Sequence, residues 1–353
     1  MGTLTSILVL SFLIFFHELG HFLMARFFGV RVEVFSIGFG KKVFSKVVGH
    51  TEYCISLIPL GGYVQMKGQD DSDPTKKSFD SDSYNTKKPW QRILILFAGP
   101  FANFLLAFLL YIAIGSMGVT KYAPIIGKIS PDSPAMQMGI MENDRIILIN
   151  NALVTTWDDV SVLIKESTGK LEFKVERLGE VHTFAIAPII SEYQNMFGER
   201  VQKRMIGIAP SGKTIEIIYS ADQLIGFAYD QTLKSTTMIL TSLQKLIEGV
   251  VSVKELGGII SIVQVTSDAS DAGIIALLML TALLSVNLGV LNLLPIPALD
   301  GGHMMFNTYE MLTKRAPSEK VLYVMTLGGW ALLLSLTAFT IFNDIYRLTG
   351  LNG

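Results

Sequence analysis

Cysteine is nearly missing from this chain. Cys54 is the single one in 353 residues, which excludes an internal disulfide and a cysteine-built metal site and leaves the redox compartment open. Charge is sparse too: Asp, Glu, Lys and Arg supply 17% of the residues against 50% hydrophobic ones, and the formal net charge is -1. Without a long basic block there is no basis for nucleic-acid binding. The first charged side chain is Glu18 and the first basic one Arg26, so the basic region of a secretory leader is lacking and no cleavable segment is expected. What remains is a chain of mean hydropathy +0.45, too apolar for an ordinary globule and too long for a bare bundle of spans. It reads as a membrane protein with one extramembrane module.

Against that background, Phe16-His17-Glu18-Leu19-Gly20-His21-Phe22 stands out. From Leu4 to Phe28 every other residue except Arg26 is apolar, small or a hydroxyl, which reads as a membrane-spanning helix. Each charged group at mid-depth costs roughly 2.5–3.5 kcal/mol on insertion scales, so ionisable residues there point to a site. On a helix, residues four apart share a face. His17 and His21 can therefore offer imidazoles to one cation while Glu18 reaches toward a water beside it.

The partner for these imidazoles lies far along the chain. A third apolar segment, 272–303, contains Asn287 and Asn292 and then breaks at Leu294-Pro295-Ile296-Pro297-Ala298-Leu299-Asp300-Gly301-Gly302-His303. Two prolines remove backbone donors, and unwound backbone at membrane depth survives only against protein or a wet cavity. The basic residues that cluster after the first span, among them Arg26, Arg31, Lys41, Lys42 and Lys46, predict that this span runs from outside to cytoplasm. The histidines then sit roughly 13 Å from the cytoplasmic end at 1.5 Å per residue. The third span runs the same way, which puts Asp300 at the same depth. Two imidazoles and one carboxylate leave a fourth position open on zinc, the donor set of a catalytic site. Mn, Fe or Co fit the same ligands. His303, three residues past Asp300, is not expected to be a ligand; His50 and His182 read as ordinary polar residues.

The remaining segments fall into place around these two. The expected division is a first transmembrane helix at 1–29, a cytoplasmic β-region with a polar loop at 30–90, a second helix at 91–115, a soluble domain at 120–190, and a connector with an amphipathic helix at 191–271. The third helix with its broken segment follows at 272–303, then a cytoplasmic loop at 304–320 and a fourth helix at 321–345. Residues 30–66, rich in Val, Ile, Phe and Gly, predict short strands with glycine turns. Asn103, early in the second span, is expected to bond a neighbouring helix. In 120–190 a short helix at Ser133–Ile140, a strand at Asp144–Asn150, a helix starting at Thr156, and the alternating Leu171–Glu176 with its return at Glu180–Ala187 resemble a PDZ module, which binds peptides by strand addition.

His17-Glu18-Leu19-Gly20-His21, Gly38-Phe39-Gly40, Gly99-Pro100-Phe101-Ala102-Asn103, the PDZ-like insertion and Asn292 to Gly301, in that order, resemble the bacterial site-2 proteases of the regulator-of-sigma-E protease type. The resemblance spans essentially the whole chain, except that larger members carry two tandem PDZ modules where this chain has room for one. It implies a polytopic α-helical membrane protein of four transmembrane helices, a membrane-associated β-sheet on the cytoplasmic side and one PDZ-like α+β insertion outside. It implies a zinc endopeptidase in the bacterial inner membrane, both termini outside and the active site toward the cytoplasm. His17, His21 and Asp300 would hold one Zn2+, Glu18 would be the general base, and Asn292 with Gly38, Phe39 and Gly40 would bind the substrate. That substrate would be a single-span protein or signal-peptide remnant whose transmembrane segment unwinds readily, trimmed beforehand by another protease. Two other readings fit the same residues. A transition-metal transporter would stagger its ligands along a path, and an inactive scaffold presenting the PDZ-like module would have no use for Glu18.

Overall fold

The computed structural model describes residues 2–69 and 78–349. Contacts divide the chain into two compact units: residues 1–114 together with 221–353, and residues 115–220. Helix α1 (Gly2–Phe27) opens the first unit and is followed by strands β1 (Val32–Val48) and β2 (Thr51–Met66), then helix α2 (Pro89–Met117). The expected short strands are instead two long ones, each folded on itself. Phe35 lies opposite both Val64 and Tyr53, and Ser36 opposite both Tyr63 and Cys54, while Ser45 also faces Cys54. The first half of β1 is thus flanked by both ends of β2. The fold in β1 falls at Gly38, whose φ of +91° suits glycine and where a Cβ would lie 2.8 Å from the Ile58 carbonyl oxygen. Phe22 and Ala25 of α1, Val32, Phe35 and Met66 of the strands and Ile95 of α2 form one apolar cluster that seats this sheet on the helices.

The second unit is inserted in sequence after α2. It comprises β3 (Val119–Tyr122), β4 (Ile126–Ile129), α3 (Pro134–Gln137), β5 (Arg145–Ile149), β6 (Ala152–Leu153), α4 (Trp157–Glu166), β7 (Leu171–Arg177), β8 (Glu180–Ile186), β9 (Ile189–Gln194), β10 (Arg200–Met205), β11 (Ile208–Pro210) and β12 (Thr214–Ile217). A four-stranded sheet runs β6-β5-β7-β8, and Ile126, Ile146, Ile149, Ile164, Phe173 and Ile206 fill its core. Thr156 and Asp159 cap α4 reciprocally, a pattern visible in the sequence. The expected boundary at 190 is corrected. β11 pairs with β4 and β12 with β3, so the stretch after 190 closes the unit and belongs to it as far as residue 220.

The chain then returns to helix: α5 (Ala221–Ile247), α6 (Ile259–Ala272), α7 (Ile274–Asn292), α8 (Asp300–Thr313) and α9 (Glu319–Leu348). Among the described residues four helices, α1, α2, α7 and α9, are long and apolar enough to cross a membrane, so the chain is a multi-pass membrane protein. The loop expected at 304–320 is corrected as well: most of it is α8. Its first residue, Asp300, brings negative charge to the helix start, where the helix dipole favours it. Gly301 and Gly302 let that start press onto the broken backbone, since a Cβ at either would lie 2.2–2.4 Å from the carbonyl oxygens of Leu293, Leu294 or Ile296.

One buried carboxylate ties the last helix to the first. Asp344 of α9, 2% exposed, accepts hydrogen bonds from the backbone N–H groups of Gly258, Ile260 and Ser261, each at 3.0 Å, and from the Ser261 hydroxyl. It thereby satisfies the open N-terminus of α6. Helix α6 in turn accepts a bond from Ser6 of α1 at the Val263 carbonyl, 3.1 Å. Replacing Asp344 with Ala strands several buried donors at once, and the expected loss is about 3 kcal/mol. Thermal denaturation of the variant in detergent checks this, and an unchanged midpoint would show that the cap is dispensable.

Candidate metal centre

His17 and His21 lie one turn apart on α1 and are 7% and 6% exposed. Their rings are brought against α2 by a crossing that only small residues allow: a Cβ at Gly20 would sit 2.1 Å from the Ala98 carbonyl oxygen. Across the crossing, a Cβ at Gly99 would lie 2.2 Å from His21 Nε2 and 2.9 Å from His17 Cε1. The space for two imidazoles is therefore made by leaving a side chain out of α2. Asp300 comes from the other end of the sequence on the first turn of α8. The ion pair between Arg92 of α2 and Glu310 of α8, 2.7 Å, ties those two helices together.

The three groups converge. His17 Nε2 and His21 Nε2 are 3.2 Å apart, and Asp300 Oδ2 is 3.2 Å from the first and 3.4 Å from the second. Ligand atoms each about 2.0–2.1 Å from a tetrahedral zinc stand roughly 3.3–3.4 Å from one another. The observed triangle has the dimensions of one face of such a tetrahedron. Its chemistry agrees, because Asp300 Oδ2 is buried with no hydrogen-bond partner. His21 Nδ1 lies 2.9 Å from the Ile95 carbonyl oxygen, which can only accept, so the proton of a neutral His21 ring is on Nδ1 and the lone pair of Nε2 faces the triangle. Lone pairs facing one another in this way repel unless a cation or a proton lies among them.

A cavity of about 580 Å3 opens on the triangle. Glu18, half-buried, is on its wall next to the ligands, and Asn292, Phe39, His303 and Trp330 line it as well. Phe39 stacks on Tyr63, ring centroids 6.1 Å apart. The expected Gly38 and Gly40 are not on this wall. The strand segment that lines the cavity is Gly62–Met66, which among the described residues pairs with β1 on one side only. A Cβ at Gly62 would come within 3.4 Å of Glu18 Cγ. The run Ile58-Pro59-Leu60-Gly61-Gly62-Tyr63 was the available signal, but which strand segment has an open edge is a matter of pairing. His303 lines the cavity outside the ligand triangle. Asn103, expected to bond a neighbouring helix, does so on a ligand: its amide lies 3.0 Å from His17 Nδ1.

Because α2 yields space at one position, Gly99→Ala is expected to displace both rings. The measurement is bound metal per chain in purified protein. The expected result is loss of most of the metal, as for His17→Ala or Asp300→Ala, and full occupancy in the Gly99 variant would show that the cradle adapts.

Similarity to known proteins covers the same ground. The chain is 45% identical over 347 residues to the Campylobacter jejuni protein named "Putative zinc metalloprotease Cj1068", covering 98% of this chain and 94% of that one. A Helicobacter pylori protein of the same designation is 39% identical over 353 residues, covering 98% and 99%, and one from Clostridium acetobutylicum is 36% identical over 349 residues, covering 97% of each. The profile of Peptidase family M50 matches residues 5–336, from the first helix into the last, and with His17, His21 and Asp300 converging inside that span the chain belongs to this family.

Proposed function

We propose that the protein is an intramembrane zinc endopeptidase of the site-2 type, cutting the transmembrane segments of single-span proteins or signal-peptide remnants. The observation that carries this is the convergence of His17, His21 and Asp300 at zinc dimensions with Glu18 on the wall of the same cavity. His17, His21 and Asp300 would hold the cation. Bound there, zinc lowers the pKa of a water and polarises a carbonyl. Glu18 takes a proton from the attacking water, whose oxygen adds to the substrate carbonyl carbon. The C–N bond then breaks, and Glu18 delivers the proton to the departing amine, so that one water is consumed per peptide bond.

A helical substrate keeps its carbonyls bonded internally, and cleavage requires that a stretch of it be extended. The open edge at Gly62–Met66 supplies backbone partners for such a stretch. Asn292, at the end of α7 and lining the cavity, would hold its backbone. The far half of β1 exposes Val43, Phe44 and Val47, which suits a sheet seated in the lipid interface. The orientation that goes with this reading has both termini and the inserted unit outside the bacterial inner membrane and the metal toward the cytoplasm. The inserted unit acts as a PDZ-like module that admits substrates already trimmed by another protease.

Two measurements test these statements. With a membrane-embedded reporter, Glu18→Gln is expected to cut cleavage about 10²–10⁴-fold at unchanged zinc content, and wild-type cleavage by the variant would remove the mechanism. Replacing residues 119–217 by a short linker is expected to raise cleavage of untrimmed reporters relative to trimmed ones. An unaltered ratio would remove the filter.

A further inference from the structure

We infer that Asn103 presents its amide oxygen to His17 and thereby holds that ring in the tautomer that can bind a cation. The inference rests on the metal centre proposed above and not on peptidase activity.

Asn103 is fully buried on α2. Its main chain is held by Ser285 of α7, whose hydroxyl donates to the Asn103 carbonyl at 2.8 Å. The contact between α2 and α7 is thus served by the backbone, and the side chain is committed elsewhere, to His17 Nδ1 at 3.0 Å. The atom placed there is Nδ2, and Oδ1 is then enclosed without a partner. An amide nitrogen can only donate. Facing Nδ1 with it would require a lone pair on Nδ1 and put the proton of the neutral ring on Nε2, directed at Asp300 and into the triangle. No lone pair would be left on Nε2 for a metal.

Turning the amide by 180° about its Cβ–Cγ bond exchanges oxygen and nitrogen without altering its shape. Nδ1–H of His17 then donates to Oδ1, and the Nε2 lone pair faces the triangle. Either placement leaves one amide atom unpaired, so hydrogen-bond count does not choose between them. The neighbouring ligand does. The Ile95 carbonyl holds His21 with its proton on Nδ1 and its lone pair on Nε2, and two rings sharing one ion need the same tautomer. Asn103 does for His17 what a main-chain carbonyl does for His21. It is a positioning residue for the ligand.

The test uses full-length protein in detergent, with zinc affinity measured by competition against a chromophoric chelator and the melting midpoint of the metal-free form recorded alongside. Asn103→Asp keeps shape and can only accept, Asn103→Leu keeps shape and can do neither, and Asn103→Ala keeps neither. The expected result is zinc affinity within a few-fold of wild type for Asp and a loss of about 10–100-fold for Leu and Ala. A loss for Asp as large as for Leu would show that the amide must donate, and wild-type affinity in Leu and Ala would show that the contact does not govern the ligand. Either result overturns the inference. Affinities that follow the expected order in a protein with no peptidase activity would sustain it while removing the function proposed above.

Discussion

The structure depends on a mutual exclusion: two imidazole nitrogens and a carboxylate oxygen meet 3.2–3.4 Å apart in a buried site, where a cation or a shared proton is what makes them compatible. Polar groups withdrawn from water without partners are expensive, and more so at membrane depth. A cation turns the same three groups into a closed coordination face. That exchange explains why His17 and His21 can stand in a helix that is otherwise mostly apolar.

Steric room for the site comes from missing side chains. Gly20 lets α1 and α2 approach backbone to backbone, Gly99 leaves the hollow that the imidazole rings fill, and Gly301 with Gly302 let the start of α8 lie on the broken end of α7. Around this close-packed centre, polar contacts tie the helices together end to end. Arg92 joins α2 to α8, and Asp344 joins α9 to the start of α6. Rigidity is what such a site needs, because ligand atoms must be held to fractions of an ångström before the ion arrives.

The sheet beside the metal has a different character. Its strands double back on themselves and, among the described residues, leave the segment Gly62–Met66, which lines the cavity, with one open edge. An open edge in a soluble protein invites aggregation. Set beside a metal site within a membrane protein, it would, in the proposed function, offer backbone hydrogen bonds to a chain that has lost its own. In the proposed function the metal would supply reactivity and the edge a way to hold an unwound segment, with Glu18 and Gly62 side by side on the cavity wall.

Much of this was legible in the residues alone. The spacing of His17 and His21 determines a shared helical face, hydropathy determines four spans, and the two prolines before Asp300 determine a break after the third, since each of these follows from local geometry or from the bilayer acting as solvent. The start of α8 was hidden because prolines and paired glycines read as loop, although glycine there serves close packing. The closing strands after residue 190 were hidden because their partners, β4 and β3, lie some 80 to 100 residues earlier in the chain. The open strand edge and the contact between Asn103 and His17 likewise depend on which backbones meet. Only the tertiary structure decides such things, because a pairing partner or a hydrogen bond across a helix crossing is set by distances between segments that no local pattern encodes.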